Sequence, residues 1–209
     1  MFNADTVTFQ EFMTRESLPL ATIHNAMLEF LRGRDDAVVF GAQAVNAYVS
    51  EPRMTEDIDL LSTRAKDLAE ELREYLSRQF HIALRILRIG EGRGYRLFQV
   101  RKTGNRHLAD VRPVSTLPPS KRIAKVLVIA PADLIASKVI AYHRRRGQPK
   151  SGTDWRDLAM LLITFPDLKR ESGPVSECLR AAGADRNVLR VWRNLVAQEI
   201  RSEDKDEKF

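Results

Sequence analysis

Cysteine is nearly absent: Cys178 is the single one among 209 residues. No disulfide can close within the chain, and no cysteine-based zinc site is suggested. Long apolar runs are missing as well. None reaches the roughly 18 residues that a membrane helix needs, so no membrane partner is expected. Met1-Phe2-Asn3-Ala4-Asp5 lacks the basic start and apolar core of a secretory signal. Internal repeats and low-complexity segments are missing too. With 44% hydrophobic and 30% charged residues, the composition is that of a globular protein, and a cytoplasmic location is the expectation.

Charge is plentiful but uneven. The formal net charge is +6, yet residues 101–150 carry twelve Lys and Arg against Asp110 and Asp133 alone. A concentrated basic stretch is the footprint of a polyanion-binding surface, such as one for a nucleotide or RNA. It is equally what a generic solvated surface looks like.

Periodicity divides the chain into two parts. Leu20, Ile23, Met27, Leu28 and Leu31 have helical spacing, which predicts a helix over 16–32. Val38-Val39-Phe40 reads as a short buried strand, with a helix over 42–49 after Gly41. Residues 57–62 read as a strand and 64–79 as a helix with Leu68, Leu72, Tyr75 and Leu76 on one face. Strand-like runs follow at 82–89, 95–101, 107–114 and 123–129, punctuated by Gly90, Gly92, Gly94 and Gly104. From Pro131 the pattern is helical: 131–146, 153–164, 174–182 and 186–203, with 147–152 a loop and Ser202–Phe209 a charged tail. The expected fold is α+β: a small mixed sheet flanked by helices over residues 1–130, then a helical domain over 131–209.

The residues that fit this pattern least are the carboxylates. Asp57-Ile58-Asp59-Leu60-Leu61 sets two aspartates on one face of a strand, where aspartate is disfavoured. Side by side they repel, unless a cation sits between them. A hard divalent ion with oxygen ligands answers that need; a solvated strand entry is the plainer reading. Asp110 shares a strand face with Leu108 and Arg112 if its strand is regular. It is a candidate third metal ligand or general base, or an ion-pair partner of Arg112 or Arg106. Gly41 ends a strand where a helix starts, a place whose free N–H groups bind phosphate.

Further along, Lys138 falls inside the apolar arc of Leu134, Ile135, Val139 and Tyr142. Either it snorkels to an edge or it meets a phosphate or carboxylate. His143-Arg144-Arg145-Arg146 closes the same helix, and with Lys150 it suits either a helix C-terminus or a nucleotide or RNA backbone. Thr153 reads as the N-cap of the next helix. Asp154 and Asp157 then lie in its first turn, where they serve the helix dipole or orient Lys138 or an arginine.

Gly41-Ala42, then Arg53-x-Thr55-x-Asp57-Ile58-Asp59-Leu60, then Lys138, then Arg156-Asp157-Leu158 resembles the AbiEii/AbiGii-type nucleotidyltransferases. These belong to the DNA polymerase β-like, or minimal nucleotidyltransferase, superfamily. The resemblance covers residues 35–165. It implies that Asp57 and Asp59 hold two Mg²⁺ ions with Asp110 as third carboxylate. It also implies nucleotide or phosphate contacts from Gly41, Ala42, Arg53, Thr55, Arg144, Arg145, Asp154 and Asp157, and a catalytic role for Lys138. Where relatives commonly have Gly-Ser or Gly-Gly, this chain has Gly41-Ala42, so contact at Ala42 is through backbone only. Members are often toxins of toxin–antitoxin or phage-defence systems, and some modify tRNA ends. The implied reaction is transfer of a nucleoside monophosphate from an NTP to a hydroxyl, with RNA (tRNA) as acceptor and a cognate antitoxin as partner. The alternatives are a catalytically inactive nucleic-acid-binding or regulatory relative, and a kinase on the same fold.

Overall fold

Leu68, Leu72 and Leu76, four apart and fully buried, make one face of the helix Ala65–Phe80, while Lys66, Asp67 and Glu74 take the other. That helix is one of two that cover a single face of a sheet. The computed structural model describes residues 18–201. Over these, the first layer runs α1 (Leu20–Leu31), β1 (Ala37–Phe40), α2 (Gly41–Tyr48), β2 (Ile58–Ser62) and α3 (Ala65–Phe80). It continues with β3 (Leu84–Ile89), β4 (Gly94–Gln99), β5 (Arg106–Pro113), β6 (Ser120–Ile123) and β7 (Val126–Ile129). The expected start of α1 at residue 16 and the charged tail Ser202–Phe209 lie outside the described residues.

The seven strands form one mixed sheet in the order β3-β4-β5-β2-β1-β7-β6. β2 runs antiparallel to β1 and parallel to β5, which makes it the junction of the two halves. α3 packs on β2, β3, β4 and β5, and α1 packs on α3, β5 and β7. Ile23, Met27 and Leu31 of α1 and Leu72 and Leu76 of α3 are all at 1% exposure or less in this layer. Beside it Phe30 and Tyr75 stack with ring centroids 5.3 Å apart. On β2 the burial alternates: Ile58, Leu60 and Ser62 go inward, while Asp59 and Leu61 stay half-buried on the opposite face.

Two details differ from the sequence reading. The single strand expected over 123–129 is a hairpin. β6 and β7 pair antiparallel, and the turn places Ala124 and Lys125 at φ +46° and +69°. Such turns ordinarily use Gly, Asn or Asp, so Ala-Lys carries no hairpin signal. β5 is also irregular: its register against β4 shifts between Leu97 and Phe98. Ala109 faces Leu97 and His107 faces Phe98, so Leu108 is an extra residue, a β-bulge.

The chain divides into two compact units: residues 1–47 with 52–129, and residues 48–51 with 130–209. The second therefore includes a short segment that a simple break after residue 130 leaves out. Its helices are α4 (Pro131–Arg144), α5 (Lys150–Thr164), α6 (Pro174–Ala181) and α7 (Arg186–Ala197), with a 3-10 turn at Pro166–Leu168. α4 touches α5, α6 and α7 and is the centre of this unit, through Leu134, Ile135 and Val139 at 0% exposure. Pro131 opens α4, and Asp185 caps α7 by accepting from Asn187 N and Val188 N at 2.8 and 2.9 Å. Three expected bounds shift here. α5 begins at Lys150, with Pro149 at the N-cap, so Thr153 is not its cap and Asp154 and Asp157 lie beyond its first turn. α4 ends at Arg144 and α7 at Ala197. Among the described residues no helix is long and apolar enough to cross a membrane.

Candidate active site

The site is built on the face of β2 that α3 leaves open. Asp59 pairs in register with Phe40 of β1 on one side and Asp110 of β5 on the other. Asp110 in turn pairs with Arg96 of β4. Neighbouring strands lie about 4.8 Å apart, so register alone aligns Asp59, Asp110 and Arg96 in one row. Asp57 stands just before β2, two residues from Asp59 and on the same face.

The bulge at Leu108 completes the arrangement. On a regular strand, residues three apart point to opposite faces. With one residue inserted, His107 and Asp110 share a face, and Leu108 is buried at 0% exposure on the other side. The expected companion of Asp110, Leu108, is thereby replaced by His107. The His107 ring bridges two carboxylates: Nε2 lies 2.9 Å from Asp110 Oδ1 and Nδ1 lies 3.3 Å from Asp57 Oδ2. One donor atom from each of Asp57, His107 and Asp110 falls within 4.8 Å of the others. The expected trio was Asp57, Asp59 and Asp110; the structure groups two of these with His107.

Asp110 is held by more than His107. Arg96 donates twice to it, Nε to Oδ1 at 2.7 Å and Nη2 to Oδ2 at 2.8 Å. Its ion pair is thus with Arg96, not with Arg106 or Arg112. Burial pushes the Asp110 carboxyl up, but the Arg96 and His107 bonds outweigh it and hold the group well below the usual carboxylate range. For His107, burial pulls the imidazole down, and the bond to Asp110 with the charges of Asp57 and Asp110 more than reverses this, so it titrates above its ordinary value. The sequence reading missed both Arg96 and His107.

Asp59 is turned toward the start of α2. A Cβ on Gly41 would lie 2.1 Å from Asp59 Oδ2, and Gly41 sits at φ +70°. Only glycine lets the carboxylate and the helix N-terminus approach this closely. Arg112 Nη2 reaches Asp59 Oδ1 at 3.4 Å, and its guanidinium stacks over the Phe40 ring at 5.0 Å. Ala42 follows Gly41 in the first turn of α2. Arg53 and Thr55 belong to the loop that leads into Asp57. Asn46 of α2 holds the Arg53 backbone at both its N–H (3.0 Å) and its carbonyl (2.7 Å). Thr55 Oγ1 lies 3.4 Å from Gln43 Oε1, and Arg53 Nη1 donates to the Met54 carbonyl at 3.0 Å. These contacts fix the loop that delivers Asp57.

In the second unit the later residues form a group of their own. Lys138 of α4, 7% exposed, donates from Nζ to Asp157 Oδ2 of α5 at 2.6 Å, and Asp157 is 0% exposed. Arg145 donates from Nη1 to both oxygens of the buried Asp154 at 2.9 Å. Arg144 and Arg146 are exposed. Lys138 therefore faces a carboxylate rather than snorkelling away.

The donor set fits a divalent cation. Two carboxylates and an imidazole nitrogen lie within reach of one ion, with a third carboxylate on the adjacent strand. The same carboxylates already face Arg96, Arg112 and His107, so the cluster is close to neutral as it stands.

The model of one protein family, described as the nucleotidyl transferase AbiEii toxin of type IV toxin–antitoxin systems, matches residues 26–208. Several solved structures share the fold. The Megavirus polyadenylate synthase superposes with a TM-score of 0.57 at 12% identity, over 76% of this chain and 36% of that one. The chain thus spans about a third of that enzyme's length. A putative nucleotidyltransferase from H. pylori gives 0.54 at 14% identity, covering 91% and 93% of the two chains. JHP933 from Helicobacter pylori gives 0.52 at 14%, covering 91% and 90%. No curated protein sequence matches the chain.

Proposed function

Since the chain belongs to the AbiEii nucleotidyl transferase family and is a nucleotidyltransferase, we propose that it moves a nucleoside monophosphate from an NTP to a hydroxyl of an RNA acceptor, with Mg²⁺ or a similar divalent cation. The observation that carries this reading is the convergence of Asp57, Asp59, Asp110 and His107 beside the Gly41 start of α2.

Each residue has work to do in that reaction. Asp57, Asp110 and His107 would hold the cation, with Asp59 beside Asp110. A bound divalent ion would neutralise charge on the triphosphate and align it for in-line displacement. The first amides of α2 and its dipole favour a phosphate next to Gly41. Ala42 contributes its backbone only. Arg112, half-exposed beside Asp59, supplies a guanidinium fork for phosphate oxygens. Asp110, held as a carboxylate by Arg96 and His107, would complete the cation site or take the acceptor proton. Lys138 with Asp157, and Arg145 with Asp154, are ion pairs within the second unit, and a part for them or for Arg144 in the reaction rests on the family resemblance alone.

The basic sequence stretch 101–150, in which Lys102, Lys121, Lys125, Arg144 and Arg146 are each exposed, is the reason to propose an RNA acceptor such as tRNA. A toxin role with a cognate antitoxin follows from the family description alone. The test is to incubate the protein with Mg²⁺, total tRNA and each α-labelled NTP in turn, beside Asp57→Asn. Label in RNA with the wild type only supports the reading and names the donor. Equal label in Asp57→Asn overturns the metal assignment, and label in no RNA overturns the acceptor.

A further inference from the structure

We infer that Arg96 is the resident counter-ion of the carboxylate cluster, and that a divalent cation must compete with it for Asp110. This rests on the reading of the cluster as a metal site.

Two aspartates at the entry to one strand, with a third in register on the next, repel unless a cation lies among them. The protein supplies one. Arg96 faces Asp110 directly across β4 and β5 and grips both of its oxygens, at 2.7 and 2.8 Å. Its charge also acts on Asp57 and Asp59. A guanidinium stays protonated at any accessible pH, so this compensation is always present.

The two partners are not equally free to leave. The Asp110 side chain is 6% exposed and Arg96 is 38% exposed. Asp110 cannot stay charged and buried without a cation. Arg96 can swing its head into water at little cost. An incoming ion at Asp57, His107 and Asp110 uses lone pairs on the oxygens that Arg96 now binds, and it brings two positive charges against one already there. The geometry makes Arg96 the group that yields. Once released, its planar fork is free for a phosphate of the incoming nucleotide. Metal and triphosphate then favour each other through one side chain: the metal frees Arg96, and the phosphate keeps it away from Asp110.

The experiment is Mn²⁺ binding without nucleotide, by calorimetry and by loss of free-ion resonance signal, in wild type, Arg96→Gln, Arg96→Lys and Asp57→Asn. Removing a vicinal positive charge should tighten Mn²⁺ binding by about tenfold or more, the low end of what one such charge does to a carboxylate's proton affinity. Arg96→Lys, which keeps the charge but loses the fork, should fall between. Without metal, Arg96→Gln should melt below wild type, and saturating Mn²⁺ should raise its melting temperature more than it raises that of wild type. If Arg96→Gln does not fold, Arg96→Lys carries the comparison. Wild-type binding that Asp57→Asn abolishes but neither Arg96 variant tightens overturns this inference and leaves the metal site standing. No Mn²⁺ binding by any of the proteins overturns both.

Discussion

The carboxylate of Asp59 occupies the space that a side chain at Gly41 would need, with Oδ2 2.1 Å from where a Cβ would sit. One residue of β2 therefore dictates the identity of the first residue of α2. Gly41→Ala should lower stability by about 1–3 kcal/mol from the φ of +70° alone, and should displace Asp59 as well. Urea denaturation and the labelling assay read the two effects separately. Gly41→Ala/Asp59→Gly should recover part of the stability and none of the activity. Full recovery of activity in the double variant would show that Asp59 has no part in the reaction.

Lys138 and Asp157 form a buried pair whose partners depend on each other. Removing only the lysine takes a counter-charge from a fully buried carboxylate, so Lys138→Met should cost up to about 3–5 kcal/mol in urea denaturation. Lys138→Met/Asp157→Leu removes both charges and should regain most of that loss. The activity of this double variant decides what the pair is for. Loss of activity in a folded protein is the outcome that the family resemblance implies for Lys138; a folded and active one would make the pair purely structural.

Asp36 gives the fold a pH-dependent contribution away from the site. The Arg34 bonds at 2.7 and 2.8 Å hold its carboxyl below the ordinary 3.8, against the opposing effect of burial and with help from the charge of Arg64. A carboxyl depressed in the folded state stabilises that state above its unfolded value, and the contribution disappears as pH falls through the folded one. Asp36→Asn should therefore cost up to about 1 kcal/mol at neutral pH, the scale of a partly solvated pair. The difference from wild type should shrink as pH falls below that ordinary value. Melting curves over that range check it, and a gap that widens in acid would contradict the assignment.

How much of this was legible in the sequence depended on range. Asp57 and Asp59 stood out because aspartate does not belong in an apolar strand, and α3 because Leu68, Leu72 and Leu76 repeat every fourth residue. Pro131 marked α4 correctly. Contacts set by register were out of reach. Arg96 is an ordinary strand arginine until β4 is laid against β5, fourteen residues further on. His107 was hidden by the bulge, since alternation places it opposite Asp110. The β6–β7 turn was hidden by Ala124-Lys125, which take positive φ without a residue that favours it. The cation expected among the aspartates was read as a metal, because the chain's own candidate, Arg96, lies far from them in sequence.

The most direct test of the account is to run the reaction with NTP labelled at the α-phosphate and, in parallel, at the γ-phosphate, in the presence of Mg²⁺ and total tRNA. Nucleotidyl transfer predicts that α-label enters the acceptor while γ-label leaves as pyrophosphate, and that Asp57→Asn stops both. Label entering the acceptor from the γ-position would contradict the account and make the protein a kinase on this fold.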